Sequence, residues 1–299
     1  MADRSSTKMV IPHPIAPDCP ITGILERLSG AGTSTQGRPI TLVRPFPRRF
    51  QAQCPAHTVW HKDYLFQRRL ALKLPLDSFR FDFRGSHETP GTWGQGALDE
   101  DLEDLRVVVR HLQEGMGYVV TAVVGHSRGS IVGMRWVCTA PEARGVTTFV
   151  NASGRYRMGK IRETAGSKAA EAGFDARGYH DWTTTVARKP VTVRLVPSEL
   201  ERFVRFDTSL VWDRFPQSVH VLTIHGLADK TVPPYDAVIY ARALGARSPG
   251  THTLHLVDDA DHNFTGRQDE IVGYILAWWD LQARGEIKCS GVWDTGTKL

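Results

Sequence analysis

Three residues of this chain have the types and settings that acyl transfer to water requires: Ser127, Asp229 and His262. Ser127 stands in Gly125-His126-Ser127-Arg128-Gly129, a G-x-S-x-G sequence. A serine hydroxyl attacks a carbonyl only when a base takes its proton, and that base needs a carboxylate to orient it. His262 is the best placed of the twelve histidines, in Asp258-Asp259-Ala260-Asp261-His262-Asn263-Phe264. It follows an expected strand, and loops at the carboxyl ends of parallel strands are where open α/β sheets keep their chemistry. Asp229 holds the same position after an earlier strand, in His225-Gly226-Leu227-Ala228-Asp229. The other usual place for the acid reads Asn151-Ala152-Ser153-Gly154 and has no carboxylate. Asp258, Asp259 and Asp261 remain alternatives, but beside His262 they read as solvating or capping its loop. His225 reads as structural, and His126 is turned away from the hydroxyl by the serine turn. His252 and His255 fall on opposite faces of a strand, so they make no metal pair.

These side chains need a scaffold that holds them at one edge. In residues 119–124, five of six are Val or Thr, a short apolar run expected as a buried strand. Residues 130–138 continue with apolar positions at helical spacing. Strand, G-x-S-x-G and helix in that order make a nucleophile elbow, a turn tight enough to hold the serine strained at its apex. The backbone N–H of Arg128, at the helix N-terminus, then points where an oxyanion would form.

Elsewhere strands and helices alternate. Residues 21–28 are expected as an edge strand, and residues 78–84 place Phe79, Phe81 and Phe83 on one strand face. Residues 97–114 open with acids and end before Gly115, the charge order a helix dipole favours. Strands are expected at 146–150, 218–224 and 251–257, and helices at 64–74, 234–244 and 268–282. This alternation implies a mostly parallel sheet with helices on both faces. Residues 154–217 interrupt it with helical fragments and no strong strand, and read as an inserted lid. The domain plan is therefore an N-terminal extension over 1–20, one α/β domain over 21–283 and a tail over 284–299.

In combination, Ser78-Phe79-Arg80-Phe81-Asp82-Phe83-Arg84-Gly85-Ser86, the Gly-His-Ser-Arg-Gly-Ser elbow, His225-Gly226-Leu227-Ala228-Asp229 and Asp258-Asp259-Ala260-Asp261-His262 resemble the serine aminopeptidase/esterase branch of the α/β-hydrolase superfamily. The likeness runs from about His57 to Trp279 and is nearest to fungal esterase-like hydrolases. It implies the α/β-hydrolase fold and ester cleavage through an acyl-serine, with Ser127 as nucleophile, Asp229 as acid and His262 as base. It implies no cofactor and no metal, and an oxyanion hole built from the N–H groups of Arg128 and Thr58. One segment departs from the pattern. Residues 44–57, with three prolines and three arginines, stand where the family has a strand end and His-Gly. A loop insertion and an unspliced intron in the gene model both account for it, and the compositional break at each end favours the second.

Charge and composition narrow the partners. The net charge is +5, and basic residues are mixed with acidic ones instead of forming a run interleaved with aromatics, so no nucleic-acid partner is expected. Residues 154–217 carry twelve Lys/Arg against eight Asp/Glu, which reads as a solvated surface or as a lid favouring anionic substrates. No apolar run nears the ~20 residues of a membrane span. Scattered Cys19, Cys54, Cys138 and Cys289, with no secretory signal, suggest a cytoplasmic protein. Thr297-Lys298-Leu299 suggests a peroxisomal address as the alternative. The expected partner is a small acyl substrate, and the oligomeric state is not legible. Rival readings are a peptidase with an acidic lid group (Glu163, Glu199 or Glu201), an acyltransferase, and a non-catalytic protein with an interrupted oxyanion segment.

Overall fold

The computed structural model describes residues 3–30, 32, 34–44, 62–186 and 189–287. Ten strands occur among them: β1 (Arg4–Ile11), β2 (Ile21–Leu28), β3 (Pro39–Arg44), β4 (Asp77–Phe81), β5 (Val119–His126), β6 (Thr148–Ala152), β7 (His180–Val186), β8 (Lys189–Leu195), β9 (His220–Gly226) and β10 (His252–Val257). Eight of them form one sheet in the order β1-β2-β4-β3-β5-β6-β9-β10. The first two pairings, β1 with β2 and β2 with β4, are antiparallel. All pairings from β4 through β10 are parallel.

Parallel strands need crossover helices, and these cover both faces. The helices are α1 (Gln67–Lys73), α2 (Leu98–Arg110), α3 (Arg128–Thr139), α4 (Ala165–Arg177), α5 (Pro197–Val204), α6 (Leu210–Asp213), α7 (Tyr235–Leu244) and α8 (Gln268–Ala283). β5 shows why its sequence is apolar throughout. Val123 packs into a core with α2 and α3, while Val124 faces the opposite core with α1 and α8. On α8, Ile271, Val272, Ile275, Trp278 and Trp279 are buried. Burying such a side chain contributes about 1.5–3 kcal/mol, so this face anchors the helix that follows the His262 loop.

β4 is buried on both faces although only one face is aromatic. Arg80 on the other face donates from Nε to Asp63 at 2.6 Å and from Nη1 to Glu26. A charged strand face survives burial here because each charge has a partner.

Three expectations need correction. The extension over 1–20 contains β1, which pairs with β2 along its whole length, so β2 is the second strand and β1 the edge. β1 reads Arg-Ser-Ser-Thr-Lys-Met-Val-Ile and exposes most of its side chains, as edge strands do, so it carries no apolar period. Residues 154–217 do hold strands. β7 and β8 pair as an antiparallel hairpin apart from the main sheet, and His180–Val186 carries three consecutive threonines suited to a pleated surface.

Candidate active site

The elbow is built by β5 and α3. Ser127 sits between them at φ 52° and ψ −115°, a strained setting for a residue with a side chain. Its N–H donates to the Ala152 carbonyl of β6 at 2.7 Å, which fixes the turn against the neighbouring strand. Gly125 makes the sharp approach possible. A Cβ there would lie 2.6 Å from Ser130 Cα and 2.8 Å from the Gly129 carbonyl, both backbone atoms. Arg128 opens α3, so its N–H has no intrahelical acceptor, and none of the described residues accepts it.

The structure brings Ser127, His262 and Asp229 into one hydrogen-bonded line. Ser127 Oγ donates to His262 Nε2 at 2.8 Å, and His262 Nδ1 donates to Asp229 Oδ2 at 2.7 Å. All three are at least 95% buried. Asp229 also receives the N–H groups of Thr231 and Val232 on Oδ1, each at 2.8 Å. Burial alone would raise the Asp229 pKa, but hydrogen bonds from His225 and His262 outweigh it and hold the carboxyl well below the usual range. An ionised Asp229 accepts only, so the proton between it and His262 resides on Nδ1, leaving Nε2 to accept from the serine.

The loops carrying acid and base lie against each other. Leu227 N–H donates to the Val257 carbonyl at 2.9 Å and Ala228 N–H to the Ala260 carbonyl at 3.0 Å. Gly226 permits this contact, since a Cβ there would stand 2.2 Å from the Ala260 carbonyl oxygen. Asp261, an alternative acid in the sequence, instead caps its own loop by accepting from Asn263 and Thr265 N–H groups, each at 2.9 Å.

Two histidines support the line without joining it. His126 Nε2 donates to the His262 carbonyl at 2.8 Å. His225 Nε2 donates to the Val232 carbonyl at 2.9 Å and lies 3.2 Å from Asp229 Oδ2. The sequence shows both residues near strand ends, but not which carbonyl each would reach. His252 and His255, on β10, have different neighbours, His252 sharing a hydrogen bond with Thr223 and His255 packing on the Tyr274 ring, as residues three apart on a strand do.

Beside Ser127 lies a cavity of about 30 Å³ whose lining includes Trp93, Gln95, Arg128, Arg155 and Val232. A larger cavity of about 300 Å³ shares Trp93 and Gln95 with it and extends to Glu199, Arg194 and Arg202. The acids that a peptidase would use to hold a substrate ammonium are already engaged. Glu163 pairs with Lys160 at 2.6 Å and Glu201 with Arg162. Glu199 accepts from the Gly96 N–H at 2.7 Å and lies 3.5 Å from Arg202.

Among the described residues, one group has metal-ligand spacing: Asp82, His87 and Glu88. The Lys62 ammonium bonds both carboxylates, at 3.0 Å from Asp82, and so occupies the place a cation would take. No helix among the described residues is long and apolar enough to cross a membrane. Thr58, the expected second oxyanion donor, lies outside the described residues, as does Thr297-Lys298-Leu299. β3 ends with Arg44 in register with Gly125, and residues 45–61, which hold most of the segment that departs from the family pattern, lie outside the described residues.

Comparison with known proteins bears on the fold and the family. A curated relative, the uncharacterized protein YDL057W of Saccharomyces cerevisiae, is 29% identical over 69% of this chain. The match spans 66% of that protein's length, just under two thirds. Among solved structures, an Agrobacterium vitis S4 protein named as a hydrolase matches with TM-score 0.66 and 18% identity, covering 92% of this chain and 98% of that one. Est1E from Butyrivibrio proteoclasticus, solved with ferulic acid bound, matches with TM-score 0.65 and 12% identity over 92% of this chain and 99% of its own. The esterase domain of a Rhodothermus marinus protein matches with TM-score 0.58 and 18% identity over 93% and 98%. At these identities the structures speak for the fold. The family itself is shown by a model that matches residues 30–273, and the chain belongs to the alpha/beta hydrolase family.

Proposed function

We propose that this protein is a serine hydrolase that cleaves carboxylic esters through an acyl-serine intermediate. The observation that carries the reading is the buried, continuous hydrogen-bonded line from Ser127 Oγ through His262 to Asp229, with the serine held at positive φ. Ser127 Oγ attacks the ester carbonyl carbon while its proton passes to His262 Nε2. The carbonyl oxygen becomes an oxyanion that accepts the Arg128 N–H at the α3 N-terminus. Collapse breaks the bond to the alkoxy oxygen, which leaves with the proton from His262. Water then repeats the sequence on the acyl-serine, giving its proton to His262 and releasing the carboxylic acid and the free serine. Asp229 stays ionised throughout and stabilises the imidazolium that forms twice per turnover.

Ester cleavage is favoured over release of N-terminal residues because each candidate acid in residues 154–217 is held by a cation or a backbone donor. Hydrolysis of p-nitrophenyl butyrate by the purified chain tests the reading. It should show a burst equal to the enzyme concentration when deacylation is slow, and Ser127→Ala should reduce turnover to background. A Ser127→Ala protein as fast as the parent would refute it.

A further inference from the structure

Several cations in the inserted segment are already paired. Arg162 bonds Glu171 and Glu201, Arg194 bonds Asp181, Arg202 bonds Glu100, and Arg157 bonds Asp236. Arg155 differs. It is only 4% exposed, and among the described residues no carboxylate lies within ion-pairing distance of it. Its Nη2 donates to the Thr231 carbonyl, and its Nη1 is buried without a hydrogen-bond partner.

Arg128 meets it across the same cavity. The Arg128 guanidinium pairs with Asp101 through Nε and donates from Nη1 to the Gln95 carbonyl at 2.7 Å, while Nη2 is buried and unpartnered. Both residues line the cavity that Ser127 also lines, and each has one guanidinium nitrogen that is buried with no hydrogen-bond partner among the described residues. Leaving a buried donor without an acceptor is costly, and the carboxylates that act on Arg155, Asp236 and Asp229, do so from beyond ion-pairing distance. Such an arrangement is stable as part of a site whose guest supplies the missing acceptors.

We propose that the cavity beside Ser127 binds a carboxylate carried by the acyl group of the substrate, held between the Arg128 and Arg155 side chains that line it. The proposal rests on the serine-hydrolase reading for its account of turnover, but not for its account of binding. The natural substrates would be hemiesters of short dicarboxylic acids. Guanidinium forks match the two coplanar oxygens of a carboxylate. The Gln95 amide, whose Oε1 is also buried without a partner, can present its nitrogen to the same guest after a flip. Burial lowers the Arg155 pKa, opposed by Asp236 and Asp229, in keeping with a cation that awaits an anion.

The test compares p-nitrophenyl hemisuccinate with p-nitrophenyl butyrate, equal in chain length and different in charge. The parent should favour the hemisuccinate at least tenfold in kcat/KM. That preference should persist at 0.5 M NaCl, because a buried ion pair is screened far less than an exposed surface field. Arg155→Gln should lower the ratio at least tenfold, and Arg155→Lys should restore part of it. Arg155→Gln should still unfold in one cooperative thermal transition, so that a lowered ratio reports binding and not loss of the fold. A ratio that Arg155→Gln leaves unchanged, or a preference abolished by salt, overturns the proposal.

A second arm separates this idea from the reading it rests on. Succinate binding to Ser127→Ala, measured by calorimetry, needs no catalysis. Binding that Arg155→Gln weakens tenfold sustains the anion site even if no ester is cleaved. Absence of succinate binding overturns the anion site even if butyrate esters are cleaved.

Discussion

His126 donates its Nε2–H to the main-chain carbonyl of His262 at 2.8 Å, so the residue before the serine holds the backbone of the histidine that bonds that serine. The His126 ring is fully buried, edge-on to Phe66 with centroids 5.9 Å apart. His126→Phe should fit this apolar setting but strand a buried carbonyl, costing about 1–3 kcal/mol of stability. Because His126 positions His262 and does not touch substrate, kcat should fall about tenfold or more with KM little changed. Steady-state kinetics with a denaturation curve on the same variant checks both numbers.

Asp229→Asn should be more severe. The amide cannot impose the Nδ1–H tautomer on His262, and loss of the orienting carboxylate in such a line costs on the order of 10⁴ in kcat. The same substitution should flatten the acid limb of stability. The folded Asp229 carboxyl titrates well below its ordinary value, so its stabilisation is complete above the unfolded pKa and is lost as pH falls toward the folded one. Thermal unfolding from pH 6 to pH 2 should therefore show a steeper decline below pH ~4 in the parent than in the variant.

His252 is a second group whose lowered pKa costs stability on acidification, here as a base. Its half-buried ring shares a hydrogen bond with Thr223 Oγ1 at 2.9 Å, and burial beside Arg247 pushes its pKa down to about 3. The unfolded imidazole takes up its proton near pH ~6.5, so between these values the unfolded chain binds more protons and stability falls as pH drops. His252→Gln should reduce the loss of Tm between pH 7 and pH 4. An identical pH dependence in parent and variant would contradict the assignment.

Gly226→Ala should separate acid from base. The added Cβ would stand 2.2 Å from the Ala260 carbonyl oxygen, a backbone atom that moves only with the His262 loop. Overpacking of this kind costs about 1–3 kcal/mol. Activity should suffer more than stability, because a shift of ~1 Å between reacting groups can cost 10²-fold. A variant with lowered Tm and unchanged kcat would show that the two loops move together.

What the sequence made legible follows the strength of its periodic signals. The run at 119–124, the elbow, and the loops of Asp229 and His262 were readable because buried parallel strands are apolar on both faces and their ends carry glycine and aspartate. β1 escaped because an exposed edge strand has no face to bury. The buried face of β4 escaped as well, since Arg80 reads as surface until Glu26 and Asp63 are seen beside it. Arg128 and Arg155 show the same limit more sharply. The sequence offered Arg128 only as a backbone donor and the segment of Arg155 as a solvated surface or a lid favouring anionic substrates, and only the fold brings both residues to the lining of the cavity at Ser127.

The most direct test of the account is labelling with a fluorophosphonate, followed by peptide mass mapping. Such a probe reports a serine hydroxyl activated by its own base, independent of any substrate. The account predicts one equivalent of label on Ser127, abolished in Ser127→Ala and slowed at least 10²-fold in His262→Ala, the scale of lost general-base catalysis. An unlabelled Ser127, or labelling that His262→Ala leaves as fast as before, would contradict it.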